Sequence, residues 1–178
     1  HLEVREEAIS WVDFYHDSID CQEVAVAQAT EDERKPIEFL SVWNNVSISL
    51  RLLTQSGMVN NRSRKILSEL AASKVRNARI VLLHPRLITL LQEVSEHYPG
   101  HRFELISGYR LGEKKASSPH NYGRALDFRI SGVDNKNLVE YLKTFPNCGV
   151  GYYPNSVFVH FDVRDKSTFW IDYSGVGE

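Results

Sequence analysis

The chain has 178 residues, of which 42% are hydrophobic and 25% are charged, which suits one folded globular domain with a sizeable core. The formal net charge of −2 gives no indication of a nucleic-acid surface, which needs clustered Lys and Arg, so no nucleic-acid partner is expected. No apolar run approaches the roughly 20 residues that span a bilayer, so no transmembrane segment is expected either.

The N-terminal third of the chain has the pattern of helices. Four apolar residues at spacings of four, three and four would line one helix face: Val4, Ala8, Trp11 and Tyr15. A second helix is predicted over residues 31–43, interrupted near Pro36. We therefore expect a helical accessory segment over residues 1–45 that packs on a catalytic domain over residues 46–178.

The pattern then changes from helix to strand and back. Apolar residues alternate with polar ones from Val46 onward, which predicts a strand that buries one face. Asn60 or Asn61 is a suitable cap for a helix whose apolar residues Ile66, Leu67 and Leu70 face inward. A further helix is predicted to begin at Pro85 and to end before residues 99–100, with a stripe of Leu87, Leu90, Leu91 and Val94.

The C-terminal half adds strands at residues 102–106, 125–130 and 157–163, the last being the final strand expected. Asp134 is a suitable cap for one more helix, which Pro146 would end. Strands and helices interleave without the regular alternation of a parallel sheet, so the predicted fold class is α+β, with a small antiparallel sheet flanked by helices. Two cysteines, Cys21 and Cys148, leave one bridge and two buried thiols equally open.

Two predicted strands carry polar residues among apolar ones. Asp127 lies within the strand at 125–130, and a buried carboxylate needs a partner. His120 precedes Gly123, at which the chain could turn and bring the imidazole back over the strand. In the last strand, His160, Asp162 and Arg164 recur at every second residue and therefore share one face.

Two histidines and one carboxylate are the ligands of many catalytic zinc sites, in which the fourth position stays open for water. The spacing alone does not separate this interpretation from a second one, in which the histidines are unrelated. Asp127 would then form a salt bridge with Arg124 or Arg129.

Four segments occur in an order that points further: SGYR at 107–110, SPHNYGRALD at 118–127, GVGYYP at 149–154 and FVHFDV at 158–163. Together they resemble the family of zinc D-alanyl-D-alanine carboxypeptidases and murein endopeptidases, and within it the bacterial branch whose last motif is Val-His-x-Asp. The resemblance covers about residues 80 to 172, and Arg164 and Trp170 resemble the closing Arg and Trp of the family.

The resemblance implies an α+β fold shared with the hedgehog signalling domain. It implies one zinc ion per chain, bound by His120, Asp127 and His160. Arg110 would hold a substrate carboxylate or the developing oxyanion, and its motif neighbours Tyr109 and Ser118 are assigned to substrate binding. The substrate would be the stem peptide of peptidoglycan, cut at bonds that involve D-amino acids.

The resemblance also implies a location for the protein, which would be periplasmic or secreted, with a signal peptide removed before His1. Apart from the resemblance, the sequence leaves the oligomeric state open, and a monomer is the starting hypothesis. Cleavage of cross-links by an endopeptidase is slightly preferred over trimming by a carboxypeptidase.

For the general base, some members of the family carry a Glu or His two or three residues before the last ligand, whereas this chain has Val157 and Phe158 there. Asp162 is the nearest alternative base, and it could instead orient a ligand. The segment between Arg110 and His120 is also shorter than usual. These departures keep a second function open, a zinc-containing module that binds peptidoglycan without cutting it, and a weaker third, an interaction domain with structural zinc.

Overall fold

The protein is described by a computed structural model that covers residues 34–72, 80–110 and 117–174. Within these residues there are seven strands and three helices. The strands are β1 (Ile37–Ser41), β2 (Val46–Leu50), β3 (Phe103–Ser107), β4 (Ala125–Ile130), β5 (Cys148–Tyr152), β6 (Val159–Val163) and β7 (Thr168–Ile171). The helices are α1 (Asn61–Ala71), α2 (Pro85–His97) and α3 (Asn135–Leu142), and a 3₁₀ turn spans Pro119–Tyr122.

The strands form one sheet in the order β2-β1-β3-β4-β6-β5-β7. Four neighbouring pairs are antiparallel, whereas β1 pairs with β3 and β5 pairs with β7 in parallel. The predicted α+β class is confirmed, and the sheet is mostly antiparallel. Among the described residues, no helix is long and apolar enough to cross a membrane.

Several predicted elements are confirmed almost residue by residue. Strand β4 occupies the predicted range, and α1 is capped by Asn60, whose side chain accepts a hydrogen bond from the Ser63 N–H at 3.2 Å. Helix α2 begins at Pro85, and its apolar stripe is buried. Asp134 caps α3 by accepting hydrogen bonds from the N–H groups of Lys136 and Asn137.

The helix predicted over residues 31–43 is wrong, because Ile37–Ser41 forms strand β1. Ile37 and Phe39 are both buried while Glu38 between them is exposed, which is the period of a strand. Pro36 also disfavours helix in the residue before it. Since β1 and β2 belong to the sheet, residues 34–45 are not part of a helical segment. The helix predicted from Val4 to Tyr15 lies outside the described residues.

Besides β1, two further strands were not predicted. Strand β5 contains Gly149 and Gly151, and glycine is uncommon in strands because it has no side chain to pack. Strand β7 is a four-residue edge strand, so 157–163 does not contain the last strand as expected. Cys148, at the start of β5, is a buried free thiol.

The two faces of the sheet differ in character. One face packs under the helices and forms the core, to which β4 and β6 contribute Leu126, Phe128, Val159 and Phe161, each fully buried. The opposite face carries Asp127, His160 and Asp162 from the same two strands. The alternation of side chains thus separates the core from a polar face in which the candidate site lies.

The connection into β4 depends on Gly123. It has a φ of +64°, and a Cβ built on it would overlap the carbonyl oxygen of Leu82. Its own carbonyl accepts a hydrogen bond from the His84 N–H at 2.8 Å, which ties the 3₁₀ turn to the start of α2.

Replacing Gly123 by Ala is expected to lower the free energy of unfolding by about 2 kcal/mol or more, because a left-handed backbone and a steric overlap act together. Gly57→Ala is the matched control, since Gly57 has a φ of +81° but nothing within 4 Å of a built Cβ. That variant is expected to lose about 1 kcal/mol. Urea unfolding measures both, and equal losses would mean that the Leu82 carbonyl imposes no constraint.

Candidate metal centre

Three buried side chains converge on the polar face of the sheet. Asp127 on β4 lies directly opposite His160 on β6, and His120 reaches them from the 3₁₀ turn before β4. Their exposed fractions are 2%, 6% and 3%. Each offers one ligand atom, and these atoms all lie within 4.8 Å of one another, so the group could hold a metal ion.

The separations of the three ligand atoms fit the edges of a coordination tetrahedron. Nδ1 of His160 lies 2.9 Å from Oδ1 of Asp127, and Nε2 of His120 lies 3.2 Å from Nδ1 of His160. Nε2 of His120 lies 3.3 Å from Oδ1 of Asp127. Ligand atoms at about 2.0–2.1 Å from a tetrahedral zinc ion are about 3.3 Å apart, so the group matches zinc.

The outer nitrogen of each histidine is hydrogen-bonded in a way that points the inner nitrogen at the centre. Nδ1 of His120 donates to the carbonyl oxygen of Gly108 at 2.7 Å, which directs Nε2 at the centre. Nε2 of His160 lies 2.9 Å from Oδ2 of Asp162, which leaves Nδ1 as the ligand. Such partners are typical of histidines that bind a metal.

Asp162 is fully buried and both of its oxygens are occupied. Oδ2 accepts from His160 and from Arg164, and Oδ1 accepts from Nε of Arg164 at 2.7 Å. Burial alone would raise the pKa of Asp162, but the hydrogen bonds from His160 and Arg164 outweigh it and hold the pKa below its usual value. Since a general base works best with a pKa near the operating pH, this geometry favours the orienting role over the base.

Arg110 lies beside the three candidate ligands. Its Nε donates to Oγ of Ser107 at 2.6 Å, and its Nη2 donates to Oδ2 of Asp127. Among the described residues, Asp127 forms its salt bridge with Arg110 and not with Arg124 or Arg129, the two partners of the competing interpretation. Arg129 pairs instead with Glu104 at 2.6 Å. Arg110 therefore binds the carboxylate oxygen that faces away from the two histidines.

The charges of the group are coupled. Burial alone would raise the pKa of Asp127, yet hydrogen bonds from His120 and His160 lower it well below its ordinary value. For His160, burial favours the neutral form, and the hydrogen bonds to Asp127 and Asp162 raise its pKa overall. The centre thus contains an ionised carboxylate that attracts cations.

A cleft of about 1360 Å³ opens over these residues. Arg110 and Ser118, both predicted to bind substrate, line it, whereas Tyr109 is buried and does not. Sequence reasoning missed Tyr153 as a lining residue, although it lies in the GVGYYP segment. His84 caps α2 and also lines the cleft.

The wall beside His160 is formed by Trp170. The two ring centroids are 5.1 Å apart, and Nε1 of Trp170 donates to the hydroxyl of Tyr153 at 3.2 Å. The indole lies against Gly151, where a built Cβ would come within 2.7 Å of the ring. Because Gly151 has no side chain, Trp170 can lie on the sheet next to the candidate ligand His160.

The fold and the site together define an α+β protein with a buried His-Asp-His group of the kind found in metallopeptidases. A family model described as peptidoglycan L,D-endopeptidase MepK matches residues 28–169, which is most of the chain and includes all three candidate ligands. The chain belongs to this family.

Two relatives show the extent of the likeness. A probable peptidoglycan L,D-endopeptidase MepK of Haemophilus influenzae is 39% identical over 77 residues, which cover 37% of this chain and 41% of that protein. The peptidoglycan L,D-endopeptidase MepK of Escherichia coli K12 is 40% identical over 70 residues, which cover 33% and 38%. The chain thus spans about two fifths of the length of the curated relatives it matches.

Replacing Asp162 by Asn is expected to weaken zinc affinity by about 10- to 100-fold, because the charge that orients His160 is lost while the side-chain size is kept. Competition with a chromophoric chelator measures this affinity. Glu104→Gln is the matched control, since Glu104 is a nearly buried carboxylate on the same face that pairs with Arg102 and Arg129. If Asp162→Asn keeps its zinc affinity but loses peptide turnover, Asp162 would instead be favoured as the general base.

Proposed function

We propose that this protein is a zinc-dependent peptidoglycan peptidase that cuts stem-peptide bonds involving D-amino acids. The observation that carries the proposal is the buried group of His120, Asp127 and His160, whose ligand atoms have tetrahedral spacing in a member of this family. These three residues would hold one zinc ion per chain.

A zinc ion held there would polarise the scissile carbonyl and lower the pKa of a water molecule. The residues around it have separate tasks. Asp162 fixes the ring of His160, and the Gly108 carbonyl fixes the ring of His120. Both imidazoles are thereby prepared before any ion binds, which lowers the cost of forming the site.

Arg110 is proposed to bind the substrate. Its guanidinium is anchored by Ser107 and Asp127 and remains about one third exposed, at 37% for the side chain. A fixed, planar guanidinium suits a carboxylate or the oxyanion that develops at the scissile carbonyl. Ser118 lines the same cleft and is proposed as a polar contact for the peptide.

An endopeptidase is favoured over a carboxypeptidase. The relatives are named L,D-endopeptidases, and we extend that bond preference to this chain as part of the proposal. The cleft is large and lies on the polar face of the sheet, and this size suits a cross-linked peptide that extends on both sides of the metal centre. We further propose the hedgehog-like peptidase fold, a monomer, and a location in the bacterial periplasm or outside the cell.

One observation favours a second function, a module that binds stem peptides without cutting them. Val157 and Phe158 occupy the positions where some members of the resembled family carry the base, and Val157 is 60% exposed. Among the described residues that line the cleft, the carboxylates are Asp127 and Asp162, and both are paired with arginines. Tight binding of stem peptides by the zinc-loaded protein without turnover would select this function.

The zinc-loaded protein is expected to release new peptides from defined cross-linked muropeptides, as detected by mass spectrometry. His160→Ala should lower this rate by at least about 100-fold, because the site loses a ligand. His101→Ala is the control, since His101 is exposed and hydrogen-bonds to the Ser131 carbonyl away from the cleft. No products at high protein concentration would contradict the proposal.

A further inference from the structure

The cleft has a second cationic group away from the metal centre. Three arginines of the described part of the chain line it, and two of them are matched by buried carboxylates, Arg110 by Asp127 and Arg164 by Asp162. The third is Arg124, which is exposed. Among the residues that the structure describes, the Arg124 side chain has no hydrogen-bond or ion-pair partner. Its guanidinium is therefore available to a ligand in the cleft.

The backbone of Arg124 is held firmly although its side chain is not. Its N–H donates to the Pro119 carbonyl at 3.0 Å, and its carbonyl accepts from the Val163 N–H at 3.0 Å. Arg124 thus lies between the 3₁₀ turn that carries His120 and the end of β6. It precedes Asp127 by three residues, which corresponds to about 10 Å along an extended chain.

The surroundings of Arg124 are positively charged. Arg64 donates to the Leu83 carbonyl at 2.6 Å, and Arg86 donates to the Asn147 carbonyl at 2.8 Å. Because these carbonyl groups carry no net charge, the positive charges of both arginines stay unneutralised by these contacts. Burial and the charges of Arg124, Arg64 and Arg86 lower the pKa of His84, which lines the same end of the cleft. This end of the cleft therefore attracts anions.

We propose that Arg124 binds a free carboxylate of the peptide at a point in the cleft separate from the scissile bond, and so selects substrates that carry a carboxylate there in addition to the group bound by Arg110. The inference rests on the proposed function, because it takes the ligand to be a stem peptide. Such a carboxylate belongs either to a diaminopimelate side arm or to a peptide terminus. The guanidinium can bind either one through two parallel hydrogen bonds.

The test compares the wild type with Arg124→Gln, which removes the charge, and with Arg124→Lys, which keeps the charge but loses the planar fork. Arg62→Gln is the matched control, since Arg62 is exposed on α1 and does not line the cleft. Each protein is given one cross-linked peptide in three forms: unmodified, amidated on the side arms, and amidated at the terminus. Turnover is measured as kcat/KM with zinc, and binding is measured by calorimetry without zinc.

For the unmodified peptide, Arg124→Gln is expected to lose about tenfold in both kcat/KM and affinity, Arg124→Lys less, and Arg62→Gln nothing. One amidated form should remove the difference between wild type and Arg124→Gln, and that form identifies the carboxylate. Equal behaviour of wild type and Arg124→Gln on the unmodified peptide would overturn the inference. So would a tenfold loss that persists on both amidated forms.

The two proposals fail in different ways. If the zinc-loaded wild type cuts no peptide, the proposed peptidase activity fails, while calorimetry on the zinc-free protein still decides whether Arg124 binds a carboxylate. If the wild type cuts the peptides and Arg124→Gln cuts them equally well, the peptidase stands and the second carboxylate site falls.

Discussion

The register between β4 and β6 places Asp127 directly opposite His160, and the candidate metal centre depends on it. Because strand side chains alternate between faces, a slip of one residue would turn Asp127 into the core. The register is held from the other side of the sheet, where Phe128 pairs with Val159 and both are fully buried. The hydrophobic core and the metal centre are therefore set by the same strand pairing.

Buried charges are costly unless each has a partner, and the polar face meets this requirement with one connected chain of contacts. Arg164 binds Asp162, Asp162 binds His160, His160 contacts Asp127, and Asp127 binds Arg110. Cations at both ends and carboxylates beside the imidazole hold the ligands in place before a metal arrives. This arrangement also explains why Asp162, although it lies close to the centre, is better suited to orient a ligand than to accept a proton in turnover.

The sequence predicted the parts of the fold that have strong local signals. Period-two alternation identified β4, and Asn60, Pro85 and Asp134 marked the starts of helices. It failed where short segments carry weak signals, as in β1 after Pro36 and in glycine-containing β5. For the site, alternation showed which residues share a face, but not which strands are neighbours. The contacts of Asp162 and the exposed guanidinium of Arg124 depend on tertiary packing, which no local pattern contains.

The most direct test of the account is a crystal structure of the zinc-loaded protein with anomalous diffraction at the zinc edge. The account predicts one strong peak per chain, bonded to Nε2 of His120, Oδ1 of Asp127 and Nδ1 of His160 at about 2.0–2.2 Å. His160 should keep its contact with Asp162 through Nε2. A peak bound elsewhere, or none at these three atoms under saturating zinc, would contradict the account.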